Sequence, residues 1–142
     1  MVLIHAYRIV AASIDRVWDV ISDIDRDPDF WRGTRHIKNI SKTENTVERE
    51  VVIAFRNSVC QEIVTIDPKK SINIEIIEGP MKGKKTIALS AIENNFTRID
   101  VEWDITINGL FVIFTRIIKR HILNGTQEAL ERISRKVILE SQ

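Results

Sequence analysis

Cysteine occurs once in this 142-residue chain, as Cys60. An intramolecular disulfide and a cysteine-built metal cluster are therefore excluded. The three histidines, His5, His36 and His121, have no ligand-like spacing, so no zinc site is expected. Long apolar runs are missing too. The run Leu110 to Phe114, which no other exceeds, is far too short to span a bilayer. The start, Met1 to Arg8, has no basic leader followed by an apolar stretch, so a signal peptide is not expected and cytoplasmic residence is. Charge of one sign is absent as well. Lys plus Arg is 21 and Asp plus Glu is 20, a net charge of +1, which gives no global drive towards nucleic acid or anionic membrane. There is no G-x-S-x-G, no Gly-rich phosphate loop and no H-E-x-x-H. No cofactor is expected.

What is present is globular. Hydrophobic residues make up 44% and charged residues 29%, which is enough apolar material for one core at this length, and residues 1–142 read as one domain. Leu3 to Ala11 alternates loosely and reads as a strand. Ser13 is a helix N-cap, with Asp15 favourable in the first turn. Ile14, Val17, Trp18, Ile21 and Ile24 then recur at helical spacing. Asp23 to Asp29 is an acidic loop or single turn, in which Pro28 limits any longer helix. Its carboxylates crowd together and provide no assignable acid and base pair.

From Thr34 to Ile107 the pattern is strands and short turns. Extended stretches are expected at Arg35–Ser41, Val47–Arg56, Val59–Ile66, Ile72–Glu78, Lys84–Ile92 and Thr97–Ile107. The breaks are rich in Asn, Gly, Asp and Pro, and they are short enough for antiparallel hairpins. The last strand is the plainest, with Ile99, Val101, Trp103, Ile105 and Ile107 alternating against charged or polar neighbours. Val47, Val51, Ile53 and Phe55 form a similar stripe, broken by Arg49. After Asn108-Gly109 the period changes. Phe111, Phe114, Ile118, Ile122, Gly125, Ala129, Ile133 and Val137 mark one face of a helix of about 25 residues or more. Gly125 on that stripe implies a kink, a close approach or a space beside the helix.

This order, together with three motifs, resembles the helix-grip superfamily of polyketide cyclases/dehydrases, START lipid-transfer domains and birch-pollen-allergen-like proteins. The motifs are Ala12-Ser13-Ile14-Asp15-Arg16-Val17-Trp18-Asp19-Val20-Ile21-Ser22-Asp23, which is similar to the superfamily's first helix, then Pro28 with Trp31, and Glu78-Gly79-Pro80. The last looks like a turn of the cyclase and coenzyme-Q-binding branch. The resemblance covers nearly the whole chain. It implies an α+β fold in which a curved, seven-stranded antiparallel sheet wraps around the long C-terminal helix, with two short helices after the first strand and a cavity between sheet and helix. It also implies an apolar ligand, with catalysis in a minority of members.

Within that frame Trp31, Arg49, Trp103, Phe111, Phe114, Ile118 and His121 are the candidate ligand-binding residues. Each has a plainer reading. Trp103 lines the cavity or packs in the core. Trp31 guards the entrance or anchors the short helices to the sheet, and Trp18 belongs to the scaffold. Arg49 either points inward to a ligand carboxylate, phosphate or carbonyl, or a register irregularity leaves it in solvent. His121 offers an acid, base or hydrogen bond to the cavity, or sits at a boundary. Leu110 to Phe114 with Ile117 and Ile118 is apolar on more than one face. It caps the cavity mouth, makes peripheral membrane contact, forms a homodimer interface or is buried beneath the sheet. Lys82, Lys84 and Lys85, with Arg116, Lys119 and Arg120, form a basic patch or a solvated charged face.

The leading expectation is a module that binds or carries a hydrophobic small molecule such as a lipid, quinone or polyketide-like compound. One alternative is a cyclase or dehydratase in which Arg49 or His121 polarises a carbonyl. The other is a protein- or ribosome-interacting regulator using the basic clusters.

Overall fold

The structure, a computed structural model, describes residues 1–140. Strand β1 (Val2–Val10) leads into helix α1 (Ile14–Ile21). The side-chain oxygen of Ser13 accepts from the Arg16 amide, which closes the N-terminus of α1 as its sequence foretold. A turn of 3-10 helix at Ile24–Arg26 and a short helix α2 (Asp27–Phe30) follow. Pro28 lies in the first turn of α2. There its missing N–H costs nothing, so it starts this helix where a limit to it was expected.

Six further strands complete the sheet: β2 (Thr34–Lys42), β3 (Thr46–Ile53), β4 (Val59–Asp67), β5 (Ser71–Glu78), β6 (Met81–Ile92) and β7 (Phe96–Ile107). Every pairing is antiparallel, and the order across the sheet is β1-β7-β6-β5-β4-β3-β2. Two expected boundaries move. β3 stops at Ile53, because Phe55–Asn57 forms a 3-10 turn with Arg56 and Asn57 at positive φ. β6 begins at Met81 and runs through Gly83, whose φ is +141°. A Cβ on Gly83 would lie 2.1 Å from the Asp104 carbonyl oxygen, so only glycine lets β7 pass this closely.

The chain then turns through a 3-10 segment, Gly109–Phe114, into helix α3 (Thr115–Glu140). The long helix therefore starts four residues after Phe111, because Gly109 at φ +51° and the Phe111 amide bonded to the Asn108 carbonyl hold a tighter turn. The result is a helix-grip fold. α3 lies along β1 and against α1 and α2. No described helix is long and apolar enough to cross a membrane.

Two apolar clusters make up the core. One joins α1, Trp31 and the C-terminal half of α3 (Ala129, Leu130, Ile133, Val137) to Val64, Ile72, Ile99 and Val101. The other joins Val2, Ile4, Val51, Ile76, Met81 and Ile105 to Ile118 at the helix start. Trp103 and Leu123 pack against both. The alternation anticipated for β7 places Ile99, Val101, Ile105 and Ile107 in these clusters.

The apolar segment before α3 is not buried beneath the sheet. Leu110 is 88% exposed and Ile113 82%, with Val112 and Ile117 also exposed. The 3-10 turn spreads its side chains around a narrow axis, so only Phe111 and Phe114 reach inward. Both stack edge-on against Phe55.

Candidate functional site

Where the two core clusters meet, the inner faces of β3 to β7 stand away from α3 and leave a cavity of about 630 Å3. Ile53, Ile74, Ile76 and Met81 line its sheet side, and Ile118, Ile122 and Gly125 its helix side. A Cβ on Gly125 would meet nothing within 4 Å. Of the three explanations for this glycine, the space beside the helix is the one realised. The exposed members of the wall are Arg32, Gly33, Ala54, Arg56, Ile117, His121, Asn124 and Glu128. They form a mouth between the first half of α3 and the ends of β2 and β3.

Trp103 and Trp31 both line this cavity, with ring centroids 6.5 Å apart and planes inclined at 68°. Trp103 Nε1 donates to Thr126 Oγ1 at 3.0 Å, and that hydroxyl donates to the Ile122 carbonyl at 2.7 Å. The indole is thus tied to α3 beside Gly125, with its polar handle satisfied and its face left to the cavity. Trp31 is buried and belongs to the core. Ile118 is buried on the helix wall, and His121 is exposed at the mouth. Phe111 and Phe114 support the wall through Phe55 and are not part of its lining.

Arg49 is not in solvent. It points inward and is 2% exposed. Its register with β4 is unbroken, with Arg49 opposite Glu62. The irregularity lies on the other side, in β2 between Asn39, its partner there, and Ser41, and it does not turn Arg49 outward. Nε donates to Glu62 Oε1 at 3.0 Å, Nη2 to Asp27 Oδ2 at 2.9 Å and Nη1 to the Ile24 carbonyl at 3.2 Å. The partners are two carboxylates of the protein itself, where the sequence suggested a ligand or water. Burial works against the guanidinium charge, but Asp27 and Glu62 outweigh it and hold its pKa above the ordinary value. Asp27 is raised, because burial disfavours its charge more than Arg49 and Lys85 restore it. This carboxylate of the acidic segment therefore has a structural partner, which the crowding of Asp23 to Asp29 concealed.

Lys85 is the residue the sequence reading misassigned. It belongs to a cluster read as a basic patch or solvated face, yet it is 6% exposed while Lys82 and Lys84 stay outside. The cause is the period of two. Met81, Gly83, Lys85, Ile87 and Leu89 share one face of β6, and that face is the inner one. Nζ sits 3.1 Å from the centroid of the Trp31 ring and 4.8 Å from that of Trp103. Desolvation lowers its pKa from 10.5 to about 7, with Asp27 and Glu62 opposing the fall and Arg49 adding to it. Cys60 lines the same wall, and burial followed by the Glu62 charge pushes its thiol up to about 11, so it stays protonated and unreactive.

The site is therefore an apolar chamber with one aromatic-faced amine and a satisfied ion cluster on its sheet side. Several further polar residues, among them Arg32, Arg56, His121, Asn124 and Glu128, stand at its exposed mouth.

Comparison with known proteins agrees with the fold. Among solved structures, the Zhui aromatase/cyclase from a Streptomyces species superimposes with a TM-score of 0.87 at 11% identity, over 99% of this chain and 96% of that one. A START superfamily protein from Mycobacterium smegmatis gives 0.76 at 15% identity, over 95% and 98%. Norcoclaurine synthase from Thalictrum flavum, in complex with dopamine and hydroxybenzaldehyde, gives 0.73 at 20% identity, over 99% and 88%. At these identities the likeness is one of fold. No curated protein sequence matches. The family model described as polyketide cyclase / dehydrase and lipid transport matches residues 1–138, and the chain belongs to that family.

Proposed function

We propose that the protein binds an apolar small molecule, such as a lipid, quinone or polyketide-like compound, inside the cavity and carries or presents it. The observation that supports this is the chamber itself. Its volume of about 630 Å3 lies within the range of roughly 300–1,000 Å3 typical of small-molecule sites. Gly125 and the inclined Trp31 and Trp103 rings keep it open where a filled core would close it. A cyclase reading rested on Arg49 or His121. Arg49 is engaged by Asp27, Glu62 and the Ile24 carbonyl, and His121 stands at the mouth, so binding is the reading retained. Cytoplasmic residence is part of the proposal, in keeping with a free, buried Cys60.

The direct experiment is organic-solvent extraction of purified protein followed by mass spectrometry, with thermal shifts against a lipid and aromatic panel. A co-purifying apolar compound, or a saturable rise in melting temperature, is the expected result. No extracted compound and no shift with any panel member would overturn the reading.

A second reading concerns loading. Leu110, Val112, Ile113 and Ile117 project outward beside the mouth, flanked by Arg116, Lys119 and Arg120. No acidic residue occurs between Asp104 and Glu128. Apolar side chains backed by unopposed cations suit an anionic lipid surface. We propose that the protein meets such a surface through this segment and loads its ligand there.

A further inference from the structure

Lys85 is a buried amine with no carboxylate of the described residues at contact distance. Its Nζ makes no hydrogen bond or ion pair among the described residues. No fully enclosed side-chain nitrogen among them lacks a partner, so this nitrogen opens onto the cavity although the residue is more than nine-tenths buried. It lines the cavity with its amine over two indole faces. The carboxylates nearest in influence, Asp27 and Glu62, are both held by Arg49. A lysine kept for structure would normally bring its ammonium to a carboxylate or to water. This one is directed at the space a ligand would fill.

We propose that Lys85 is a carbonyl-capturing amine, which holds an apolar aldehyde or ketone in the cavity as an imine. The inference rests on the cavity being a small-molecule site and deepens that reading by naming the ligand's reactive group. Charge balance argues for a neutral carbonyl over a carboxylate. Two cations, Arg49 and Lys85, already face two anions, Asp27 and Glu62, and a third anion would be left unpaired in an apolar chamber. The aromatic faces suit the product too. A protonated imine keeps the positive charge at the same nitrogen, over the Trp31 ring and within reach of the two carboxylate fields.

The bonds balance without any further reagent. The uncharged amine donates its lone pair to the carbonyl carbon, and the carbonyl π pair moves to oxygen, which takes up a proton. That proton is one of the two amine hydrogens. The carbinolamine hydroxyl then takes a second proton from solvent and leaves as water while the nitrogen lone pair closes the carbon–nitrogen double bond, so the imine is left protonated. With its pKa near 7, a large share of the amine is uncharged at neutral pH. The groups that set this are Asp27 from α2, Arg49 from β3 and Glu62 from β4. β5 and β7 present Ile74, Ile76 and Trp103, and α3 adds His121 and Glu128 at the mouth.

The experiment uses naphthaldehyde, a flat apolar aldehyde, with cyanoborohydride at neutral pH to reduce any imine to a stable amine. Peptide mapping then finds the modified lysine. Methylnaphthalene, which lacks the carbonyl, reports on the cavity by itself. The expected result is a single adduct on Lys85, formed at least about tenfold faster than on exposed Lys82 or Lys84. Methylnaphthalene should compete with it, and Lys85→Arg should abolish it. The rate on wild-type protein should rise through a midpoint near 7, which requires no variant to fold. Labelling spread over surface lysines, while methylnaphthalene still binds, overturns the imine and leaves the binding function standing. Surface labelling together with no binding of methylnaphthalene overturns both.

Discussion

Arg49 Nη2 donates to Asp27 Oδ2 at 2.9 Å, and through that bond the inner face of β3 is fastened to the first turn of α2. Glu62 on β4 takes the Nε of the same guanidinium at 3.0 Å. Replacing the arginine would strand two carboxylates in the interior. Arg49→Met should therefore lower unfolding free energy by about 3–5 kcal/mol. The triple variant Arg49→Met/Asp27→Asn/Glu62→Gln should recover much of the loss. Urea unfolding of the three proteins measures this, and a change of less than about 0.5 kcal/mol in the single variant would show the cluster to be inert.

Lys85 makes stability depend on pH in a definite direction. Its folded-state pKa of about 7 lies below the ordinary 10.5. Between these values the unfolded chain binds more protons than the folded one, so this residue's contribution to stability rises with pH. Below about pH 7 both states carry the charge, and the folded state bears its full burial cost. Lys85→Met should accordingly be more stable than wild type near pH 6, by a few kcal/mol. The advantage should shrink steadily towards pH 10. Equal differences at both pH values would contradict the burial of this amine.

Gly125 tests the cavity without touching the ion cluster. Leucine is a better helix former than glycine by roughly 0.5–1 kcal/mol, and a Cβ placed there meets nothing within 4 Å, so the rest of the side chain is aimed into the chamber. Gly125→Leu should fold with equal or greater stability while filling the chamber. Loss of extractable or added apolar ligand, with the melting temperature kept, is the expected outcome. Undiminished ligand binding would mean that the ligand lies elsewhere.

The outward apolar segment should bring the protein to anionic vesicles at low salt. Sedimentation with phosphatidylglycerol vesicles should be strong for wild type, weaken as salt screens the basic flank, and be lost in Leu110→Ser/Ile113→Asp. Wild-type protein that ignores vesicles and sediments as a dimer, with the variant monomeric, would reassign the segment to self-association.

How much of this was legible in the chain follows from the range of each interaction. Period-two alternation and turn chemistry are local, and they mark all seven strands to within a few residues at most ends. The capped start at Ser13 and the long apolar stripe from Ile118 to Val137 are local as well. The first-helix motif and Glu78-Gly79-Pro80 carried the resemblance that the family match over residues 1–138 bears out. The chain by itself thus determined the helix-grip architecture and the place of Trp103 on an inward stripe. Tertiary structure decided the charges. Whether Arg49 meets water, ligand or protein depends on Asp27, which β2 separates from it in sequence and which folding brings to 2.9 Å. The inward face of β6 becomes the cavity wall only when β5 and β7 flank it and Trp31 arrives from behind α2. That assembly turns Lys85 from one of three clustered lysines into a lone amine, because burial and not sequence neighbourhood sets the environment of a charge.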